Sequence, residues 1–259
     1  MSKTYAMTGG ATGIGASLKE KLQQRGDRVI VVDIVDAEII ADLSQPEGRR
    51  EAVLGIHARA PDGLDGFVAC AGLGPHIEPK STIDRVNYFG VVSTIEGVRE
   101  LVGIKRGSIV AVSSNSAHMD DVDAGHINAL LAGDEAGACE WIDKQGDYEA
   151  GANAYCGSKR AVALWVRRNA PDYARAGVRL NAIAPGMVDT ALNRGAIADE
   201  VFRDAMTRNA NTIPLGGMGD PDMISDAILF MLDDASRFMA GSVLFVDGAQ
   251  DAETYPDTF

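Results

Sequence analysis

The sequence predicts an α/β protein: one domain on a doubly wound sheet of parallel strands with helices on both faces. Three observations carry this. Short apolar runs alternate with segments of helical spacing along the whole chain. A glycine-rich turn, TGGATGIG at 8–15, joins the first run to the first helical segment. No Pro/Ser-rich linker, internal repeat or low-complexity tract divides the 259 residues, and 46% hydrophobic content suits one full core.

Each element follows in order. KTYAMT (3–8) is β-rich and runs into glycines. Residues 14–25 place Ile14, Leu18 and Leu22 on one helical face. RVIVVD (28–33) is nearly continuous apolar sequence, as in a parallel strand buried on both faces. EIIADL (38–43) fits a short strand and 46–60 a helix. GLDGFVACAG (63–72) and GSIVAVSS (107–114) read as buried strands, with a long helix over 81–102 between them. A helix follows over 152–169, then a strand in GVRLNAIAPG (177–186), a helix over 221–234 and a last strand in GSVLFVDG (241–248).

Bulk properties exclude several roles. A formal net charge of −13 repels phosphate backbones, so nucleic acid is not an expected partner. Three cysteines, Cys70, Cys139 and Cys156, are too few and oddly numbered for a disulfide framework, and none has metal-ligand spacing. The four histidines form no His-x-x-x-His set, so no metal is expected. The opening MSKTYAMTGG has no charged segment followed by an apolar run, so no secretory leader is expected, and no apolar stretch matches a bilayer. The expectation is a soluble cytoplasmic protein with no membrane partner.

The glycine turn has a chemical reading. Gly9, Gly13 and Gly15 let the backbone bend sharply and approach a diphosphate, which would lie at the positive end of the following helix. No Gly-Lys-Ser/Thr follows, so it is not a P-loop. The second strand ends at Asp33, eighteen positions after Gly15. A carboxylate there accepts bonds from adenosine ribose hydroxyls and repels a 2′-phosphate. Ile34, Val35 and Asp36 follow, with no Arg or Lys, which favours NAD over NADP. Asp33 as a plain strand-ending turn residue is the alternative.

In YCGSK (155–159), tyrosine and lysine stand one helical turn apart on one face. Taken alone, this is equally a surface pair on an amphipathic helix.

Together these pieces resemble the short-chain dehydrogenase/reductase family over nearly the whole chain: TGGATGIG, Asp33, Ala41-Asp42-Leu43, CAG at 70–72, Asn87, SIVAVSS at 108–114, YCGSK, NAIAPG at 181–186 and VDG at 246–248. Within it the chain looks most like the bacterial 3α-hydroxysteroid dehydrogenase/carbonyl reductase type, from DIVDAEIIADLS (33–44), CAGLGP (70–75), VNYFG (86–90), AGVRLNAIAPG (176–186) and a long gap before the tyrosine.

The resemblance implies a Rossmann fold and an NAD-dependent oxidoreductase acting on a secondary alcohol or ketone, possible substrates being a hydroxysteroid or another apolar cyclic carbonyl. It implies that Tyr155 is the general acid/base, that Lys159 holds the nicotinamide ribose and lowers the tyrosine pKa, that Ser114 bonds the substrate oxygen, and that Asn87 positions a water. Cofactor contacts are implied from Gly9, Thr12, Gly13, Ile14 and Gly15, from Asp33, Asp42 and Leu43, from Ala71 and Gly72, from Tyr155 and Lys159, and from Pro185, Gly186, Val188 and Thr190. Two unit charges ~4 Å apart at an effective dielectric of ~20 interact by roughly 4 kcal/mol. A lysine beside the phenol would therefore lower its pKa by about two to three units. Ser113 remains an alternative occupant of the serine position. The chain has Ala69-Cys70-Ala71-Gly72 where the family often has Asn-Asn-Ala-Gly, which removes a strand-bracing hydrogen bond.

Residues 115–151 form an insert too long for a plain connection. It holds nine acids from Asp120 to Glu149 against Lys144, and Ile127, Leu130, Leu131, Ala138, Trp141 and Ile142 share one helical face. That face either packs on its own domain or forms a subunit interface or substrate wall. Similar inserts in the resembling subgroup accompany a homodimer. Residues 190–212 fit a mobile substrate loop, with Met187, Leu192 and Met206 as wall or ordinary core residues. Cys156 is read as a small packing residue, and His118 and His126 as solvent-facing or capping. Two rival functions remain: a dehydrogenase of a non-steroid aryl or aliphatic secondary alcohol, and a non-catalytic nucleotide-binding regulator.

Overall fold

The computed structural model describes residues 2–119 and 122–258. Seven parallel strands form one sheet: β1 (Thr4–Thr8), β2 (Arg28–Asp33), β3 (Ile39–Ile40), β4 (Gly66–Ala69), β5 (Ser108–Val112), β6 (Arg179–Pro185) and β7 (Val243–Val246). Their spatial order is β3-β2-β1-β4-β5-β6-β7. The chain winds outward from β1 to β3, then crosses to β4 and winds the other way. The switch therefore lies between β1 and β4, where Thr8 pairs with Ala69, and a doubly wound sheet opens its crevice at these strand ends.

Alternation along the strands divides the core. Ala6, Ile30, Phe67, Ile109 and Leu180 face the helices α2 (Pro46–Arg59), α4 (Val91–Lys105) and α7 (Asp147–Arg175). Tyr5, Met7, Val31, Val68 and Val110 face α1 (Gly13–Gln24) and α10 (Pro221–Leu232). The doubly buried strands explain the unbroken apolar runs of the sequence.

Three elements differ from expectation. The strand over 38–43 shrinks to Ile39–Ile40, and the carbonyls of Leu43 and Ser44 beyond it are taken by the Arg49 side chain of α2. The helix over 81–102 is α3 (Ser81–Asp84), a π-helical turn (Arg85–Gly90) and α4 in series. The helix over 152–169 extends to 29 residues and continues through Pro171. A proline inside a helix loses one backbone bond. Here tertiary packing offsets that loss: Tyr173 is buried, packs edge-on against Trp165 and lies under the Arg99 guanidinium, 4.4 Å from its ring centroid.

The insert folds as a 3₁₀ turn (Asn115–His118), α5 (Ala124–Leu131) and α6 (Glu135–Ile142). A turn at Gly133 separates the two helices, so the apolar residues do not form one continuous face. Ile127, Leu130 and Ala138 join the main core, and Ile142 packs with Ile83, Ala150 and Ala154. These residues thus pack on their own domain. Of the acids, Asp120 and Asp121 lie outside the described residues. Asp123 and Asp134 cap α5 and α6, and Glu140 pairs with Lys144. Residues 190–212 fold largely into α8 (Ala191–Ala198) and α9 (Arg203–Asn211), and α11 (Gln250–Thr254) closes the chain. Among the described residues, no helix is long and apolar enough to cross a membrane.

Candidate active site

A cavity of about 700 Å³ opens at the switch point. It runs from Asp42, Leu43 and Ser44 at one end to Ser114, Tyr155 and Lys159 at the other, with the glycine turn between. The turn is held by close approach. A Cβ on Gly9 would stand 2.6 Å from the backbone of Ala71, and one on Gly15 only 1.9 Å from the Gly9 carbonyl oxygen. Side chains are excluded there, so the start of α1 comes close to the sheet. Thr12 precedes that helix without a side-chain cap bond, and its first backbone N–H groups are available to an anion. Asp33 Oδ2 accepts from Ala11 N at 2.9 Å and its Oδ1 from Ile34 N at 2.7 Å, so this carboxylate also braces the turn.

Every residue expected to touch a cofactor lines this cavity: Gly9, Thr12, Gly13, Ile14, Gly15, Asp33, Asp42, Leu43, Ala71, Gly72, Tyr155, Lys159, Pro185, Gly186, Val188 and Thr190. Cys70 lines it too. The expected loss of bracing there is met by Thr8, whose Oγ1 accepts from Ala71 N and whose carbonyl accepts from Cys70 N, each at 3.2 Å. Asn87 stands just behind the lining. Its Oδ1 accepts from Leu73 N at 2.8 Å and its Nδ2 donates to Leu73 O at 3.0 Å. A methyl on Gly72 would lie 3.3 Å from Lys159 Nζ and 3.4 Å from Asn87 Oδ1, so both polar tips face one glycine.

The two serines separate by partner. Ser113 Oγ donates to the Lys159 carbonyl at 2.7 Å and supports α7. Ser114 hydrogen-bonds the Tyr155 hydroxyl, while its Oγ accepts from Ser116 N at 3.2 Å. Lys159 Nζ donates to Val112 O at 2.9 Å and lies 5.9 Å from the Tyr155 ring centroid.

The electrostatics correct the sequence argument. Burial pushes Tyr155 up to about 12, against the opposing Ser114 hydrogen bond. Burial pushes Lys159 down to about 8, with Cys70 opposing. Tyr155 is half-buried on the cavity wall and Lys159 is 4% exposed, and in each case desolvation disfavours the charged form. At neutral pH Tyr155 is a proton-loaded acid, and Lys159 remains mostly charged.

Other expectations meet different outcomes. Leu192 lines the cavity, but Met187 is buried outside it and Met206 lies away on α9. Cys156 does not line the cavity; its Sγ contacts Met119 Sδ at 3.8 Å. His118 Nδ1 pairs with Asp251 at 2.9 Å. His126 is neither solvent-facing nor a cap through its ring: its Nε2 bonds Asp84 Oδ2 at 2.8 Å, with both side chains fully buried. Leu73, Thr82, Val86 and Asn193 line the cavity and were missed, because no local pattern marks residues that only the tertiary fold brings to the cleft. Among the described residues no cluster of His, Cys, Asp and Glu could hold a metal ion.

Comparison with known proteins agrees with this geometry. Residues 3–125 match the family model described as short chain dehydrogenase, and residues 143–249 the one described as Enoyl-(Acyl carrier protein) reductase. The chain is 35% identical to the 3-alpha-hydroxysteroid dehydrogenase/carbonyl reductase of Comamonas testosteroni, covering 98% of each. It is 28% identical to the cis-4-hydroxycyclohexanecarboxylate dehydrogenase of Sinomonas cyclohexanicum, covering 96% of this chain and 97% of that one. The crystal structure of the 3-alpha-hydroxysteroid dehydrogenase from Pseudomonas sp. B-0831 complexed with NADH superposes with a TM-score of 0.95 at 41% identity, covering 99% of this chain and 100% of that one. A crevice at the switch point, a serine bonded to a tyrosine on its wall, a lysine one turn along, and near full-length relatives converge on one conclusion: the chain belongs to the short-chain dehydrogenase/reductase family and is an oxidoreductase that uses a nicotinamide cofactor.

Proposed function

We propose that the protein is an NAD-dependent dehydrogenase/reductase interconverting a secondary alcohol and a ketone on an apolar, cyclic substrate. One observation carries the reading: a single continuous cleft joins Asp33 and Asp42 at one end to the Ser114–Tyr155–Lys159 set at the other. In this reading the adenosine lies against Asp33, Asp42 and Leu43, and the diphosphate meets the N–H groups of Gly13, Ile14 and Gly15. The nicotinamide end lies beside Ala71, Gly72, Pro185, Gly186, Val188 and Thr190. Lys159 is the only Lys or Arg among the described lining residues, and it stands far along the cleft from Asp33. A 2′-phosphate beside Asp33 would meet a carboxylate and no cation, which favours NAD. The NADH complex of the Pseudomonas enzyme supports the same choice.

The nicotinamide supplies the hydride acceptor or donor. Tyr155 Oη passes its proton to the substrate oxygen in reduction and takes it back in oxidation. Ser114 donates to that oxygen as charge develops on it. Lys159 supports the negative phenolate in oxidation and holds the nicotinamide ribose. Asn87, facing Gly72 with Lys159, orders a water that carries the proton onward. The apolar wall of Leu73, Val86 and Leu192, with 190–212 as a substrate loop, suits a ring substrate. Both curated relatives above are named for ring alcohols. We further propose a cytoplasmic homodimer, with the insert occupying one flank of α7.

The test is a panel of ring and open-chain ketones with NADH and NADPH, run on the wild type and Tyr155→Phe. A ring ketone reduced with NADH is expected, with Tyr155→Phe losing at least about 10²-fold in kcat while still binding NADH. Unchanged turnover in that variant would remove Tyr155 from the chemistry, and a rate with NADPH alone would reverse the cofactor assignment.

A further inference from the structure

The turn over 42–44 forms the far wall of the cleft, yet it belongs to no strand or helix. Two devices of α2 hold it. Gly48 packs so closely that a Cβ would stand 2.0 Å from the Asp42 carbonyl oxygen. Arg49 then reaches over it: Nε donates to Leu43 O at 2.8 Å and Nη2 to Ser44 O at 3.3 Å. The same Nη2 reaches Arg85 O at 3.3 Å, at the start of the π-helical turn that carries Asn87. The Arg49 side chain is only 8% exposed, so its charge needs a partner.

That partner comes from the insert. Glu135, at the start of α6, accepts from Nη1 at 2.7 Å through Oε2 and from Nη2 at 3.0 Å through Oε1. This is a two-pronged pair across 86 residues of sequence, and planar pairing fixes the guanidinium in one orientation. Arg85 Nε also approaches Glu135 Oε1, at 3.7 Å.

We propose that Glu135 is a positioning residue for the adenine end of the dinucleotide, acting through Arg49. The proposal rests on the reading that adenine lies at Asp42 and Leu43. Without Glu135 the guanidinium is a buried cation with only backbone carbonyls and the Phe89 ring, 5.6 Å away, for company. It turns toward solvent and releases Leu43 O and Ser44 O. Asp42, whose Oδ1 is set by Ser44 N at 2.9 Å, then loses its register with the cleft. The insert thereby tunes cofactor affinity from outside the cofactor site.

The test compares NADH with reduced nicotinamide mononucleotide, which lacks the adenosine half. For wild type, Glu135→Ala, Glu135→Gln and Arg49→Lys, one measures NADH affinity by fluorescence titration and kcat/KM for ketone reduction with each cofactor. Losing the carbonyl clamp is worth on the order of one hydrogen bond, so the NADH-to-mononucleotide ratio of kcat/KM should fall about tenfold in Glu135→Ala and Arg49→Lys. Glu135→Gln keeps one acceptor and should recover part of the loss; it also keeps the test open if Glu135→Ala does not fold. A merely structural role would lower the melting temperature and leave the ratio at its wild-type value, and that result overturns the proposal. A wild type that binds no NADH would instead overturn the dinucleotide reading, and the proposal with it.

Discussion

Asn87 grips the backbone of Leu73 twice, accepting from its N–H and donating to its C=O, in a side chain with no solvent exposure. A residue in a π-helical turn thus fixes the loop that leaves β4 and enters the cleft. Asn87→Ala would leave both backbone groups of the half-buried Leu73 without this partner. The expected loss is about 2–4 kcal/mol, from the cost of two unmet polar groups. For a chain of this size that lowers the melting temperature by roughly 4–16 °C. Calorimetry checks it, and turnover should fall with it because Leu73 and Gly72 line the site.

Asp33 gives a prediction on cofactor choice. Its carboxylate lies beside exposed Ile34, and both line the cleft. Asp33→Ser keeps an acceptor for Ala11 N and removes the negative charge. Adding Ile34→Arg supplies a cation at the mouth. The double variant should shift the NADP-to-NAD ratio of kcat/KM by about a hundredfold, equivalent to roughly 3 kcal/mol of altered charge interaction. An unchanged ratio would mean that the adenosine ribose lies elsewhere.

The sequence made the sheet legible because parallel strands buried on both faces leave unbroken runs such as Val29–Val32, and because only glycine fits where Gly9 meets Ala71. It made the Tyr155–Lys159 face legible because helical spacing is local. What it could not display depends on distant partners. The π-helical turn at Asn87 depends on Leu73, and the 42–44 wall depends on Arg49 and Glu135. The passage of α7 through Pro171 depends on Tyr173 finding Trp165 and Arg99. The upward shift of the Tyr155 pKa is another such case: spacing reveals the neighbouring lysine but not the desolvation that raises the phenol.

His126 and Asp84 form a fully buried pair, with the imidazole stacked on Trp141 at 5.2 Å between centroids. Burial raises the Asp84 pKa, and His126 is the first group to counter it. His126→Leu alone would leave the carboxyl without its partner and should cost about 3–5 kcal/mol. The double variant with Asp84→Leu removes the stranded group and should be more stable than the single one. Urea unfolding of the four-member cycle reads the coupling. A cost below about 1 kcal/mol for His126→Leu would show that the two groups stand independently.

Lys159 links function to a stability cost with a definite pH signature. Its pKa of about 8 in the folded protein lies below the ordinary 10.5, chiefly because the ammonium is buried. Below pH 8 the native state carries the charged, desolvated group, and the destabilisation is fully present. Between about 8 and 10.5 the unfolded chain holds a proton that the native chain has released, so stability rises with pH at about 1.4 kcal/mol per unit. Lys159→Met has no such group. The unfolding free energy of the wild type minus that of Lys159→Met, measured without cofactor, should therefore rise by about 2–3 kcal/mol from pH 7 to pH 10. The same variant should lose turnover at every pH, since the phenolate of Tyr155 then has no protein cation in the cleft. A flat difference across that range would mean that Lys159 is as well solvated in the native protein as in the unfolded chain, and a well-solvated ammonium would also give the phenolate little support.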